Sequence, residues 1–137
     1  MRASSKVRYA LYLMIDVAKH QEAGPVPLRE VSVRQNISLK YLEQIASQLS
    51  KFGYLESIRG AQGGYRLARE AASISAGDIM RAAEGEFVSV ACLDEEAEAC
   101  PRQSHCCSIA AFWQGLHQTI DSYTDDVSLE SLALTQL

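Results

Sequence analysis

The chain has 137 residues, of which 47% are hydrophobic, and its formal net charge is −4 at pH 7. This length and apolar content suffice for one compact core, which excludes an intrinsically disordered chain. The apolar run of residues 10–15 ends at Asp16, is too short to span a membrane and lacks a small-residue cleavage site. We therefore expect a cytoplasmic protein in a reducing compartment, without membrane contact.

Charge is distributed unevenly along the chain. Residues 1–70 contain 11 Lys and Arg against 6 Asp and Glu, a balance of +5, whereas residues 71–137 contain 2 against 11, a balance of −9. A basic half can neutralise phosphates and an acidic half cannot. The acidic overall charge therefore does not exclude a nucleic-acid partner for the first half.

The first half reads as a series of helices. Apolar residues at helical spacing predict an amphipathic helix over residues 7–19, and a short helix over residues 28–34 follows the breaker residues 24–27. Asn36 is a suitable left-handed terminator, and Ser38 a suitable cap for a third helix over residues 39–52. The apolar face predicted for the third helix comprises Leu42, Ile45, Leu49 and Phe52. Two helices joined by a short turn are typical of a helix-turn-helix unit, although a merely packed helical hairpin gives the same pattern.

Two strand-like runs, residues 54–59 and 65–68, flank the glycine-rich residues 60–64 and predict a β-hairpin. A hairpin directly after a recognition helix is a wing, and its glycines let the backbone approach DNA closely. The glycine spacing does not match a nucleotide-binding loop.

The candidate DNA contacts lie at the start of the third helix and on the wing. Base edges are within reach of the first turns of a recognition helix, and wing side chains reach phosphates or a groove. Glu43 repels phosphate, so we expect it either to accept from a cytosine amino group or to be a plain surface residue. The candidates are Ser38, Lys40, Tyr41, Glu43, Gln44, Arg59 and Gln62, with Arg66 as a further phosphate-seeking cation.

The second half begins with a predicted helix over residues 75–84, with Ser75 as its cap and Gly85 at its end. A longer helix is predicted from about residue 105 to residue 123. Its apolar stripe comprises Ile109, Phe112, Trp113, Leu116, Ile120 and Tyr123. Two large aromatic residues favour pairing with a second copy across a two-fold axis, with a core helix as the alternative.

All four cysteines, Cys92, Cys100, Cys106 and Cys107, fall within residues 92–107, which we call the cysteine segment. Disulfides suit oxidising compartments, and structural zinc sites use shorter ligand spacings. Iron-sulfur clusters tolerate wide, irregular spacing, and thiolate sulfur suits iron. Ordinary reduced cysteines are the remaining alternative, but such residues are usually scattered along core faces.

Two local features bear on the thiols. Ser104 is a candidate helix cap, which places Cys106 and Cys107 in a first helical turn where the helix dipole favours anionic sulfur. The carboxylates of residues 94–98 disfavour a free anionic sulfur beside them, so we expect metal ligands rather than redox nucleophiles at Cys92 and Cys100.

The remaining titratable residues show no catalytic pattern. His20 and His117 have no partner at local spacing, and we expect them on solvated helix faces. No Ser-His-Asp or paired-carboxylate arrangement has a readable order, so we expect no enzymatic activity.

Six stretches of the chain resemble the IscR-like family of winged-helix transcription regulators, which includes nitric-oxide-sensing, iron-responsive and cysteine-metabolism members. They are SKVRYALYLMIDVA, VPLREVSVRQNISLKYLEQIASQL, SIRGAQGGYRLAR, ISAGDIMRAAEG, the cysteine segment and the FW…L…I…SLESLAL pattern. The resemblance spans nearly the whole chain, and its most specific part is the wing. It implies a mainly α fold with a small β-hairpin, in which a winged helix-turn-helix domain precedes a long dimerisation helix. The implied divisions are residues 1–85 for DNA binding, 86–104 for a cluster loop and 105–137 for dimerisation.

The resemblance also implies a cofactor, one [2Fe-2S] or [4Fe-4S] cluster per subunit in many members. The family's three-cysteine pattern falls on Cys92, Cys100 and either Cys106 or Cys107. Where some members have a histidine ligand three residues further on, this chain has Ile109 or Ala110. Where others have an acidic ligand near the start, it has Arg8. The fourth ligand is therefore the second of the paired cysteines, His105 or a group from elsewhere.

Together these features predict a cytoplasmic, homodimeric regulator that binds a double-stranded DNA operator under the control of an iron-sulfur cluster. One alternative is a cluster-free repressor of the same fold that responds to a small molecule, thiol oxidation or a protein partner. Another is a metal or electron-transfer module that does not bind DNA.

Overall fold

A computed structural model describes residues 2–87, 90–93 and 107–135. The helices are α1 (Ser5–His20), α2 (Leu28–Gln35), α3 (Leu39–Lys51), α4 (Ala76–Glu84), α5 (Ala110–Asp126) and α6 (Leu129–Leu134). The strands are β1 (Leu55–Ile58) and β2 (Gly64–Leu67), and short 3₁₀ turns span Gln21–Ala23, Ala71–Ser73 and Ala91–Leu93. No helix within these described ranges combines the length and apolarity that a membrane span requires.

The core forms around α1, which packs against α2, α3, α4, α6 and β2. Its Ser4 cap accepts a hydrogen bond from the Val7 N–H, and its buried face carries residues such as Leu13 and Met14. Leu129 of α6 is also fully buried in this core. One apolar cluster therefore connects the first helix with the end of the chain.

The helix-turn-helix prediction is confirmed in its main features. Asn36 ends α2 with a φ of 52°, and the Ser38 hydroxyl caps α3 by accepting from the Tyr41 N–H. Ile37 is buried in the corner between the two helices, and the Ser32 hydroxyl donates to its carbonyl oxygen. The turn is thus held by both a left-handed residue and side-chain hydrogen bonds.

The predicted wing is an antiparallel hairpin in which Leu55 pairs with Leu67 and Ile58 with Gly64. The linker before α2 extends this sheet, since Val26 and Tyr65 exchange two backbone hydrogen bonds of 2.8 Å each. A Cβ on Gly64 would lie 2.4 Å from the Val26 carbonyl carbon, so only glycine permits this approach. The wing is therefore attached to the body of the domain along its second strand.

Phe52 does not belong to the core as predicted, because its side chain is 54% exposed. The helical spacing from Leu49 is correct, but α3 ends at Lys51 and the chain reverses at Gly53, where φ is 81°. The buried Leu55 supplies the next apolar contact instead. The periodic pattern thus continued one residue past the helix.

The long helix α5 begins five residues later than predicted, at Ala110, and continues to Asp126. Cys107 therefore precedes the helix rather than lying in its first turn, because residues 108 and 109 form a turn. The Ala110 N–H closes that turn by donating to the Cys107 carbonyl oxygen at 3.2 Å. Ser104, the predicted cap, lies outside the described residues, as does Cys106.

A buried ion pair joins α1 to the end of α2. The Asp16 side chain is fully buried and accepts two short hydrogen bonds from Arg34, from Nε at 3.0 Å and from Nη2 at 2.7 Å. Gln35 Nε2 donates to the same carboxylate at 2.9 Å. Burial alone raises the pKa of Asp16, but the hydrogen bonds from Arg34 and Gln35 and the Arg34 charge outweigh it and lower the pKa.

Both histidines have partners at helical spacing, so the prediction that they have none is wrong. His20 Nδ1 lies 2.8 Å from the Asp16 carbonyl oxygen, and His117 Nε2 lies 3.2 Å from a carboxylate oxygen of Asp121. His117 is also half-buried rather than solvated. Both pairs are four residues apart, a spacing that places side chains side by side on a helix.

Replacing Asp16 by Asn should lower the free energy of unfolding by about 1–3 kcal/mol at neutral pH, because Arg34 loses its charged partner. The folded-state pKa of Asp16 lies below its ordinary value of 3.8, so this contribution is complete above that value and is lost as the pH falls through the folded-state pKa. Urea unfolding at several pH values should show a constant difference from wild type between about pH 5 and pH 8 and a shrinking one below about pH 3.8.

Glu30→Gln is the matched control, since Glu30 also pairs with Arg34 but at 3.4 Å and from an exposed position. Its effect should stay within about 0.5 kcal/mol. Equal losses in the two variants would contradict a special role for Asp16.

Candidate nucleic-acid interface and cysteine segment

The first turns of α3 present a polar, solvent-facing surface. Lys40, Glu43 and Gln44 are exposed, and no side-chain hydrogen bond or ion pair engages them within the part of the chain that the structure describes. Ser38 is exposed as well, although its hydroxyl oxygen is already used as the helix cap. These side chains therefore remain available to a ligand that approaches the start of α3.

Tyr41 differs from its neighbours because its ring is half-buried. It packs edge-to-face on Tyr9 of α1, with 5.5 Å between ring centroids and an interplanar angle of 89°. Edge-to-face contacts of this kind hold aromatic rings in a defined orientation. Tyr41 therefore joins the start of α3 to α1 in addition to any contact it makes outside the chain.

The Asp16–Arg34 ion pair helps to position this surface, and it was not predicted from the sequence. Arg34 and Gln35 are the last two residues of α2, only a few residues before α3 begins. Their hydrogen bonds to Asp16 fix the end of α2 against α1. The available signal was a carboxylate within the otherwise apolar buried stretch of α1, which requires a cationic partner from elsewhere.

The wing brings two further candidates to the surface. Arg59 and Gln62 are exposed, and neither has an ion pair or side-chain hydrogen bond to another described residue. Arg66, in contrast, pairs with Glu56 across the hairpin, which neutralises its charge. Among the wing cations, Arg59 is therefore better placed than Arg66 to contact a phosphate.

A polar groove of about 400 Å³ separates the wing from the helix-turn-helix unit. Gln62 and Gly63 form its wing side, and Glu30 and Arg34 of α2 form the opposite side. The tip of the wing thus lies beside α2, on the same body as the recognition helix. This arrangement brings the two predicted groups of DNA contacts into one unit.

The described residues include only the two ends of the cysteine segment. Cys92 lies in the 3₁₀ turn Ala91–Leu93, Cys107 immediately precedes the turn into α5, and both are half-buried. Cys100, Cys106 and His105 lie outside the described residues. Within the described residues, no three metal-binding side chains come together. The four-thiol ligand set therefore stays a prediction.

A helix-turn-helix unit with an attached hairpin wing defines a winged-helix DNA-binding regulator. The sequence profile of the Rrf2 family, described as an iron-dependent transcriptional regulator, matches residues 3–135. The chain belongs to the Rrf2 family. This membership favours a transcriptional regulator over an enzyme and over a metal or electron-transfer module that does not bind DNA.

Relatives and solved structures agree with this assignment. The chain is 41% identical to the HTH-type transcriptional regulator IscR of Xenorhabdus nematophila over 136 residues, which is 99% of this chain and 81% of that protein. The structure of CymR, the global cysteine regulator of B. subtilis, has a TM-score of 0.78 at 37% identity, and the match covers 97% of this chain and 96% of that chain. T. potens IscR has a TM-score of 0.75 at 32% identity and covers 100% of this chain and 93% of its own.

Replacing Arg59 by Ala should weaken DNA binding about tenfold and reduce the salt dependence of binding by about one phosphate contact, because one unpaired cation of the wing is lost. The measurement is a gel-shift titration at several salt concentrations with a duplex that the wild-type protein selects from random-sequence DNA.

Lys51→Ala is the matched control, since Lys51 is an exposed cation at the far end of α3. It should change the dissociation constant by less than about twofold. Equal affinity of the Arg59 variant and wild type would count against a DNA contact by the wing.

Proposed function

We propose that this regulator is a homodimer whose affinity for a double-stranded DNA operator is controlled by an iron-sulfur cluster bound in the cysteine segment. The observation that carries the cluster is the placement of four thiols between α4 and α5. Cys92 follows the DNA-binding half, and Cys107 leads into the long helix. Ligation at both ends of the segment would tie the start of α5 to the chain after α4.

The donor set fits an iron-sulfur cluster chemically. Thiolate ligands suit iron, and a cluster accepts ligands at irregular spacing because its own core provides the scaffold. Cys92, Cys100 and one of Cys106 and Cys107 would supply three ligands, and the other paired cysteine or His105 the fourth. Such a cluster, when bound, would respond to iron supply, redox state or nitric oxide. We propose that the protein senses one of these signals.

The dimer proposal rests on the surface of α5. Within the described part of the chain, no residue of this helix is buried. Large apolar side chains on it are exposed to solvent: Phe112 is 63% exposed, Tyr123 is 71% exposed, and Ile109, at its N-cap, is 53% exposed. Phe112 and Trp113 also stack edge-to-face, with 5.0 Å between ring centroids. Exposed apolar residues that share one helix stripe are typical of a protein interface. A second copy of α5 across a two-fold axis would cover them.

The DNA-reading roles follow from the placement of the candidates. Lys40, Glu43 and Gln44 face solvent at the start of α3, where a recognition helix contacts base edges in the major groove. Ser38 and Tyr41 would contact the same site or its phosphates. Arg59 and Gln62 would place the wing against phosphates or the neighbouring minor groove. In a dimer, two such units would occupy successive major grooves of a partly palindromic operator.

The regulatory step that we propose is a population shift. A bound cluster would order residues 86–104 and restrain the start of α5, and this changes how the dimer presents its two DNA-reading units. Loss, oxidation or nitrosylation of the cluster would release that restraint. The reducing cytoplasm, where free thiolates persist, is the compartment that suits this mechanism.

A second candidate is a cluster-free repressor of the same fold, in which the thiols act as a redox switch. The observation that favours it is the similarity to a crystal structure of Staphylococcus aureus CymR in an oxidized form, with a TM-score of 0.79 and 34% identity over the full length of this chain. The cluster measurement below separates the two candidates.

Protein purified without oxygen should contain two or four iron atoms per chain, with as much sulfide, and should show sulfur-to-iron charge-transfer bands. Cys92→Ser and Cys100→Ser should each abolish the bands. Cys106→Ser and Cys107→Ser each serve as the control for the other. The variant that loses more iron identifies the third ligand. Protein that shows neither bound iron nor bands would contradict the cluster and favour the thiol switch.

Phe112→Glu should convert the protein from a dimer to a monomer of 15.1 kDa, because a charge in the interface remains unpaired. Light scattering after size-exclusion chromatography gives the mass, and a gel shift gives the accompanying loss of operator affinity. Gln114→Glu adds the same charge at an exposed position outside the stripe and should remain dimeric. A wild-type monomer that binds DNA would contradict the dimer.

A further inference from the structure

The end of α5 is joined to the beginning of α4 by backbone hydrogen bonds. The Ala76 N–H donates to the Val127 carbonyl at 2.8 Å, and the Leu129 N–H donates to the Ile74 carbonyl at 2.7 Å. These bonds form a short antiparallel bridge between Ser75 and Ser128. The helix itself has no buried residue in the described part of the chain. Its attachment is therefore concentrated at one end.

Side chains beside this bridge add a second connection. Arg81 Nη2 donates to Asp125 Oδ1 at 2.7 Å and to Asp78 Oδ1 at 3.2 Å. Asp125 also lies against the backbone of α4, since a Cβ on Gly77 would be 2.2 Å from its Oδ1 and 3.1 Å from Thr124 Oγ1. The backbone bridge and the contact of Gly77 and Arg81 with Asp125 together hold this end of α5 on α4. We call the bridge the pivot and the contact the latch.

The latch connects to the recognition helix through Tyr54. Tyr54 follows α3, and its N–H donates to the Leu49 carbonyl at 3.0 Å. Burial and the nearby Asp78 carboxylate raise the pKa of the Tyr54 phenol, which therefore stays neutral beside the ionised Asp78. Arg69 lies over the Tyr54 ring at 5.0 Å from its centroid. Helix α3 also packs directly against α4, where Asp78 and Arg81 lie, and Arg81 is bonded to Asp125 of α5.

Small changes at the pivot become large at the far end of α5. A helix of 17 residues is about 25 Å long. A swing of about 8° about its attached end moves the other end by about 3.4 Å, which equals one base-pair step of DNA. The angle of α5 on its own domain therefore determines the separation of the two recognition helices of a dimer joined through α5.

We infer that the latch formed by Gly77, Arg81 and Asp125 specifies the spacing between the two half-sites of the operator. The inference rests on the proposed homodimer and adds a specificity determinant that does not touch DNA. Its residues act by positioning α3 relative to the interface.

Gly77→Ala breaks the latch selectively. The added methyl group would lie 2.2 Å from Asp125 Oδ1 and 3.1 Å from both Arg81 Nη1 and Thr124 Oγ1. Because these atoms belong to side chains and Asp125 is 46% exposed, we expect Asp125 to rotate away and lose its bond to Arg81 while the fold is retained. Gly115→Ala is the matched control, because a Cβ there meets nothing within 4 Å. Both are glycine-to-alanine changes within helices and gain similar helix propensity.

The experiment uses the full-length protein and the duplex that wild type selects from random-sequence DNA, together with versions that carry one base pair more or less between the half-sites. Wild type and the Gly115 variant should lose about tenfold or more in affinity for altered spacings. The Gly77 variant should lose about threefold or less, because its dimer adopts a range of separations. Its affinity for an isolated half-site should match wild type.

A folded, dimeric Gly77 variant with the spacing preference of wild type would overturn the inference and leave the proposed function intact. If that variant does not fold, Asp125→Ala, which removes the oxygen that Arg81 bonds, is measured in the same way and decides the question. Wild type that selects no pair of spaced half-sites contradicts the proposed dimeric regulator and this inference with it.

Discussion

The arrangement of the candidate DNA-binding surface depends on one buried carboxylate. Asp16 lies inside the core on α1, and an ion there is tolerated only when its charge is compensated. Arg34, at the end of α2, supplies the opposite charge, and Gln35 beside it donates a further hydrogen bond to the carboxylate. Because α3 starts only a few residues after Arg34 and Gln35, the same bonds hold the chain that leads into α3 against α1.

The same principle recurs at the other end of the domain, where Arg81 lies between two carboxylates. Ser75 and Asp78 cap α4 together: the Ser75 N–H donates to the Asp78 carboxylate at 2.9 Å, and the Asp78 N–H donates to the Ser75 hydroxyl oxygen at 3.0 Å. Burial raises the pKa of Asp78, but the bonds from Ser75 and Arg81 outweigh that effect and lower it, so the carboxylate stays charged. Asp125 then attaches α5 to the same cation. One charged network therefore holds the end of α2 on α1, and the other holds the end of α5 on α4.

The uneven charge of the chain separates two regions of the protein. The basic first half contains the exposed candidates Lys40 and Arg59, and the acidic second half contains the cysteine segment and α5. In a regulator, a change in the signal-sensing region must alter the DNA-binding region. Packed side chains with defined partners can transmit such a change. The Rrf2 family assignment and the winged fold are consistent with such a division of roles.

Local chemistry explains which elements were predictable. Asn36 and Ser38 mark helix ends through backbone conformation and capping, which depend only on neighbouring residues, and both predictions are confirmed. The wing followed from its glycines and alternating strands for the same reason. The predicted start of α5 and the predicted burial of Phe52 were wrong. Both lie at helix ends, whose position depends on how the adjoining chain packs.

The sequence by itself determined the order of helices and strands, the polar face of α3 and the concentration of thiols, because each follows from residue types at short spacing. Only the tertiary structure decided that Asp16 pairs with Arg34, 18 residues away, and that Arg81 pairs with Asp125, 44 residues away. Opposite charges are plentiful along the chain, and nothing in their spacing states which two will meet. That choice is made when the helices pack, because packing brings the two charged groups of each pair within hydrogen-bond distance.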